Sequence, residues 1–105
     1  MEKSDIVIDN FRPGVMDKLG LGYEALKAIN PGVIYCSLTG YGQTGPLRNA
    51  AGHDINYISR SGIISHAGRE EEGPSLMNFQ IADIAVGSLN SVIGILAAVN
   101  HRRNT

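Results

Sequence analysis

Cysteine, tryptophan and charged residues are scarce in this sequence. Its 105 residues include one cysteine and no tryptophan, and 18% of them are charged. The lone Cys36 excludes an internal disulfide, and no cysteine or histidine lies at the spacing of metal ligands, so we predict no metal site and a reducing, intracellular setting. No secretory signal precedes the first predicted strand. We therefore predict a cytoplasmic protein.

A concentrated positive charge is also missing. The formal net charge is −1, and the basic residues are scattered apart from Arg102 and Arg103 near the end. Proteins bind nucleic acids through clustered lysine and arginine side chains. We therefore predict no nucleic-acid partner.

One apolar run, residues 84–99, carries no charge and has to be weighed as a membrane span. It is shorter than the roughly 20 residues that a spanning helix needs, and glycine, serine and asparagine interrupt it. We predict instead a helix buried against protein, whose small residues allow close approach, and no membrane span.

What the sequence does contain is 43% apolar residues in regular patterns, enough for one domain or a part of one. Two β-branched runs, Ser4–Asn10 and Val33–Thr39, predict buried strands. Residues 11–20 and 23–30 between them predict short helices, the second ended by Pro31-Gly32. The order strand, helices, strand predicts a βαβ-like unit with parallel strands. Because neighbouring strands must come from elsewhere, a missing N-terminal part is expected.

Two loops are candidates for ligand contact. Arg12 follows the first predicted strand, at the edge where open α/β sheets bind ligands, so it suits a phosphate, although an ordinary exposed arginine in a turn remains an alternative. Residues 40–46 are rich in glycine but lack the spacing and the Gly-Lys-Ser/Thr ending of phosphate-binding loops. They predict a mobile or ligand-approaching loop instead. The charged residues 66–74 predict an exposed loop.

The densest chemistry lies in Gly52–Tyr57, where a histidine, a carboxylate, an amide and a phenol occur together. The pattern predicts a short helix that begins here. A helix N-terminus disfavours a charged imidazolium, which would leave His53 available as a base. The alternative is that His53 or Asp54 only caps the helix. Asp83, at the predicted start of the last apolar helix, presents the same choice.

Four segments, taken in order, match the pattern of a known family: Asn10–Val15, Ser37–Pro46, Gly52–Tyr57, and Ala82-Asp83 before a Gly-Ile-Leu-Ala-Ala helix. Together they resemble the family III CoA-transferase superfamily, and within it most of all the α-methylacyl-CoA racemases. The resemblance implies an α/β fold with short parallel strands, connecting helices and a long buried C-terminal helix. It also implies that residues 1–105 are a partial domain, an internal fragment of a Rossmann-like domain in a much longer protein.

The resemblance implies two catalytic residues, His53 and Asp83, which are 30 positions apart. In the racemases, the matching histidine and aspartate flank the substrate α-carbon. In the transferases, the aspartate is the nucleophile that forms anhydride and thioester intermediates, and another residue usually replaces the histidine. His53 therefore favours racemisation of a 2-methylacyl-CoA. A CoA-transferase acting through Asp83 and a catalytically inactive fragment are the alternatives.

The resemblance also implies contacts to CoA, which would enter as part of the acyl-CoA substrate rather than as a tightly bound cofactor. The implied contact residues are Asn10, Phe11, Arg12, Lys18, Gly52, Asp54, Ile55, Asn56 and Tyr57. Lys18 stands where the family often has arginine, so the charge is kept but the two-pronged hydrogen bonding of a guanidinium is lost. Family members are interlocked dimers, so a homodimer is expected for the full-length protein.

Overall fold

The computed structural model describes residues 4–105, which divide into two compact units. One unit is formed by residues up to Ala50 together with Ser91–Thr105, and the other is Ala51–Asn90. The prediction that residues 1–105 belong to one partial domain stays a prediction.

The first unit contains the predicted parallel pair of strands. Strand β1 is Ile6–Asp9 and β2 is Ile34–Ser37, and they pair in parallel with Ile6 opposite Ile34 and Asp9 opposite Ser37. Helices α1, Val15–Lys18, and α2, Tyr23–Ile29, lie between them along the chain. The strands are shorter than the β-branched runs that predicted them, but the α/β order is confirmed.

Glycine and asparagine residues end the two helices of this unit. Gly20 follows α1 with a φ of 70°, a left-handed conformation that glycine adopts without steric cost. After α2, the Asn30 side chain accepts a hydrogen bond from the Gly32 N–H at 3.0 Å, and the Asn30 carbonyl accepts from Val33 N–H at 3.0 Å. These bonds close the turn that leads into β2.

A small apolar core holds α2 against the strands. Leu26, on α2, is only 2% exposed, and Ile34 of β2 is also buried. The rings of Tyr23 and Tyr35 meet edge to face, with centroids 6.2 Å apart and planes at 63°, a geometry that aromatic quadrupoles favour. Near the chain end, Arg102 donates to the Gly32 carbonyl at 2.9 Å and pairs with Asp5 at 3.1 Å.

The second unit begins with helix α3, Asp54–Arg60, followed by a 3₁₀ turn, Ile63–His66. Residues 68–74 form a hairpin of two-residue strands, β3, Gly68–Arg69, and β4, Gly73–Pro74. The predicted loop is mostly exposed, as expected, but the hairpin was not foreseen. The unit then continues as a π-helical segment, Ile81–Ser88, which packs against α3.

The π-helical segment runs directly into helix α4, Leu89–Asn104, so that Ile81–Asn104 is one helix of 24 residues. The predicted long C-terminal helix is confirmed, but its predicted burial is not found. No residue of α4 is buried, and Ile93 is 63% exposed. The described residues supply no layer that covers its apolar side chains. By length and composition this helix could cross a membrane, but one such helix is weak evidence, and the absence of a span stays a prediction.

The contribution of the buried Leu26 side chain to the free energy of unfolding can be measured. We expect Leu26→Ala to lower the free energy of unfolding by about 2–5 kcal/mol, because the buried side chain leaves a cavity that the surroundings fill only in part. Leu19, 60% exposed, offers the matched control, and Leu19→Ala should change the same quantity by about 0.5 kcal/mol or less. Urea unfolding of the two variants makes the comparison; equal losses would contradict the assigned core.

The phenol of Tyr35 gives this unit a pH-dependent stability. Burial, a hydrogen bond with the Asp9 side chain, and the negative charges of Asp9 and Asp17 raise the pKa of Tyr35 to about 12 from a usual 10.0. The folded chain therefore holds the phenolic proton more tightly than the unfolded chain. This stabilisation is complete below pH 10 and is lost as the pH rises from 10 towards 12.

We expect Tyr35→Phe to flatten the fall of unfolding free energy across that alkaline range and to remove a step near pH 12 from the phenolate absorbance. Tyr41→Phe, which also removes one tyrosine, is the control. An unchanged alkaline slope in Tyr35→Phe would show that the phenol is not held by its buried, acidic surroundings.

Candidate functional site

His53 stands at the N-cap of α3, with extended backbone angles and an exposed side chain. Asn56, one turn later, fixes this helix start twice. Its side-chain oxygen accepts a hydrogen bond from the His53 N–H at 2.9 Å, and its own N–H donates to the His53 carbonyl at 2.9 Å. The backbone of His53, the candidate base, is therefore held by the first turn of the helix, in the way that the backbone of a helix-capping residue is held.

Gly52 and Tyr57 explain how the chain enters this helix. A Cβ atom added at Gly52 would lie 2.6 Å from Cε1 of the Tyr57 ring, closer than carbon atoms can approach. Glycine is therefore needed where the loop passes the half-buried ring. Farther along the helix, Ile58 is 3% exposed and anchors α3 in its unit.

Asp54, the first residue of α3, turns its carboxylate inward. It is 7% exposed, and its Oδ1 accepts a hydrogen bond from the backbone N–H of Asp83 at 2.9 Å. Two helix starts that are 29 residues apart along the chain are thereby joined by one side chain. No feature of the sequence near Asp54 indicated this partner, because a contact of that separation depends on tertiary packing.

Asp83 is the third residue of the π-helical segment and is half-buried. The carbonyl of Asp83 accepts a hydrogen bond from the hydroxyl of Ser88, five residues later, at 2.9 Å. The backbone of Asp83 is thus bonded on both sides, at its N–H by Asp54 and at its carbonyl by Ser88. The structure therefore brings the starts of the two elements that carry His53 and Asp83 together within residues 51–90. π-Helical turns are rare and occur frequently at functional sites.

A separate cleft of about 250 Å³ lies in the first unit, at the carboxyl ends of β1 and β2. Its lining residues are Asp9, Arg12, Pro13, Gly14, Met16, Asp17, Tyr23, Tyr35, Ser37 and Gln43. Arg12 is therefore where its sequence position predicted, at the ligand-binding edge of a parallel pair. Asn10, Phe11 and Lys18 are exposed near this cleft along the chain but do not line it.

Asp9 is the cleft residue that sequence reasoning missed. It is 7% exposed, and its Oδ1 accepts the Phe11 N–H at 3.0 Å. Within residues 4–105, Oδ2 has no hydrogen-bond partner of good geometry. A single carboxylate directly after the apolar run Ile6-Val7-Ile8 was the available signal, since aspartate is almost never fully buried unless it is paired.

The predicted binding residues thus fall into two groups. Arg12 and its neighbours belong to the first unit, and Gly52, Asp54, Ile55, Asn56 and Tyr57 belong to the second. Over the described range 4–105, no three His, Cys, Asp or Glu side chains form a group that could hold a metal ion. The CoA contacts and the absence of a metal stay predictions.

Comparisons with known proteins bear directly on the resemblance. The family model of CoA-transferase family III matches residues 1–105. Human α-methylacyl-CoA racemase is 44% identical over 104 residues, which are 99% of this chain and 27% of that protein. Succinate–glutarate CoA-transferase of Agrobacterium fabrum is 43% identical over 98 residues, 93% of this chain and 24% of that protein.

A solved structure agrees with the sequence matches. The crystal structure of hypothetical protein Rv3272 from Mycobacterium tuberculosis superposes with a TM-score of 0.88 at 36% identity, over 99% of this chain and 29% of that one. The chain spans about a quarter of the length of the curated relatives it matches. Racemases and transferases are similar to it to nearly the same degree, so identity does not separate the two reactions. The match over the whole chain confirms the resemblance: the chain belongs to CoA-transferase family III.

Proposed function

We propose that the protein to which this chain belongs is an acyl-CoA racemase, which moves a proton at the α-carbon of a 2-methylacyl-CoA thioester. The observation that carries the proposal is the arrangement within residues 51–90. His53 at the start of α3 and Asp83 at the start of the π-helical segment are joined through the buried Asp54. Two groups that can exchange protons are thereby placed on adjoining helix starts.

The chemistry needs two such groups. Removing the weakly acidic α-proton from one face leaves a planar enolate, and inversion requires a proton from the opposite face. In one direction His53 takes the proton as a neutral imidazole and Asp83 supplies one as a carboxylic acid; in the other direction the roles exchange. One proton leaves the substrate and one returns, so the thioester is otherwise unchanged. Backbone N–H groups at helix starts are suited to the negative charge on the enolate oxygen.

In the first unit, Asn10, Phe11, Arg12 and Lys18 are proposed to contact the CoA part of the substrate. Arg12 in the cleft supports this, because a guanidinium suits a phosphate. Lys18 is an exposed cation in the last turn of α1. In the second unit, Gly52 and Ile55–Tyr57 would contact the thioester end of the substrate. A homodimer, a cytoplasmic location and the absence of a tightly bound cofactor, all implied at the outset, belong to the same proposal.

The first test is deuterium incorporation. We expect the full-length protein, given a single enantiomer of a 2-methylacyl-CoA in heavy water, to place deuterium at the α-carbon and to lose optical purity. His53→Ala and Asp83→Asn should each reduce the rate by about 10²–10⁴-fold, the usual contribution of a positioned acid or base. Glu71→Gln, in the exposed hairpin, is the matched control and should exchange normally.

Unchanged exchange in both site variants would overturn the assignment of the pair. The same assay on the 105-residue chain alone addresses the inactive-fragment alternative. Deuteration clearly above that of its His53→Ala variant would refute inactivity of the fragment.

The second candidate is CoA transfer, favoured by the relatives named as CoA-transferases at 43% identity. In that reaction the Asp83 carboxylate attacks the thioester carbonyl, the carbon–sulfur bond breaks, and CoA leaves as a thiolate. The product on the protein is a mixed anhydride, which the thiolate then attacks to release the acid and leave an aspartyl thioester.

The two reactions leave different traces on Asp83. A racemase should show no covalent adduct after incubation with acyl-CoA, because its aspartate only exchanges protons. We therefore expect the mass of the peptide containing Asp83 to be unchanged by acyl-CoA followed by hydroxylamine, whereas a transferase would yield an Asp83 hydroxamate. Asp83→Asn supplies the blank for this measurement, and a hydroxamate confined to the unmodified sequence would contradict the racemase proposal.

A further inference from the structure

We propose that Asp54 is a positioning residue, whose buried carboxylate holds the backbone of Asp83 at a set place beside His53, and that its side chain does not bind CoA. The inference replaces the CoA contact predicted for this side chain. Its catalytic consequence rests on the proposed function, whereas the contact itself is a property of the fold.

The geometry gives a short path between the two candidate acid/base residues. Asp54 follows His53 directly, and its Oδ1 reaches the Asp83 N–H at 2.9 Å. The backbone of His53 is itself fixed by the two bonds to Asn56. A displacement of the carboxylate would therefore move Asp83 relative to a residue that is held in place.

The π-helical segment needs such a partner. In a π-helix the hydrogen bonds run between residues five apart, so the N–H groups of the first turn, including that of Asp83, have no partner within the helix. Asp54 supplies a charged acceptor for one of them, and charge-assisted hydrogen bonds are about twice as strong as neutral ones. Ser88 holds the carbonyl side of the same residue. The start of the π-helical segment is thus held in place by hydrogen bonds on both sides of the Asp83 backbone.

Burial and charge both argue against a CoA contact by the Asp54 side chain. At 7% exposure the carboxylate has little surface for a ligand, and one of its oxygens already accepts the Asp83 N–H. The phosphates of CoA are anionic and would be repelled by a second negative charge. The partial positive charges at the two helix starts instead favour a carboxylate between them.

Two substitutions of Asp54 distinguish an effect of its hydrogen-bond acceptor from an effect of its negative charge. Asp54→Ala removes the acceptor, and a reacting group displaced by about 1 Å can cost roughly 10² in rate. We expect kcat for α-proton exchange to fall by about that factor while KM changes little. Asp54→Asn keeps an oxygen that can accept the Asp83 N–H, so kcat should recover to within about tenfold of the original. Asp5→Ala, which removes an exposed aspartate of the other unit, is the control.

A second measurement does not depend on any reaction. Hydrogen exchange of the Asp83 amide, resolved to single residues by mass spectrometry of the full-length protein, reports the contact directly. The amide should be protected in the original protein and in Asp54→Asn, and should exchange faster in Asp54→Ala. The Ser61 amide, which donates to the Tyr57 carbonyl at the end of α3 at 3.0 Å, should stay protected in all three and shows that the helix remains folded.

The outcomes distinguish the inference from the proposed function. Unaltered protection of Asp83 in Asp54→Ala overturns the contact, and lost protection with unchanged kcat overturns its role in positioning. Equal losses of kcat in both variants would assign the effect to charge, and a rise in KM alone would restore the CoA contact. If the original protein neither exchanges the α-proton of the substrate nor acylates Asp83, the proposed function fails. Hydrogen exchange of the Asp83 amide still tests the contact with Asp54 in that case.

Discussion

The hydrogen bond from the Asp83 N–H to the Asp54 carboxylate is the interaction on which the candidate site depends. It joins the starts of α3 and of the π-helical segment, which carry His53 and Asp83 respectively. Without it, a buried charge and an unpaired helical N–H would both lack a partner, and each omission costs free energy. The bond therefore gives the buried carboxylate and the helical N–H a partner. It also fixes the backbone of Asp83 relative to the start of α3.

The two buried carboxylates in the described part of the chain, Asp54 and Asp9, have different surroundings. Asp54 is bonded to a backbone N–H at a helix start, where partial positive charge compensates for burial. Asp9 lies in the cleft of the other unit, where burial of the Tyr35 phenol, and then the hydrogen bond and charge of Asp9, raise the pKa of that phenol. The first arrangement restrains a backbone, whereas the second keeps a hydroxyl protonated beside an acceptor.

The sequence predicted the βαβ-like order and the start of α3 because these depend on local patterns: β-branched runs, a Pro-Gly stop and a polar helix start. It also placed His53 and Asp83 at helix starts, through the apolar pattern that follows each of them. It did not predict the π-helical segment, or the Asp54 contact, which joins residues distant in sequence. The predicted burial of α4 was wrong for this chain, because an apolar pattern indicates a tendency to be covered and the covering layer is not among residues 4–105.

The restraint on Asp83 also bears on how one family can contain racemases and transferases. A carboxyl group that donates a proton and a carboxylate that attacks a thioester carbonyl both have to be held in a set position relative to the substrate. Asp54 and Ser88 hold the Asp83 backbone without reference to its side-chain chemistry. Under the proposed function, we infer that the choice between the reactions falls on the residue at the start of α3. In this chain that residue is a histidine, which can accept the α-proton that a transferase leaves in place.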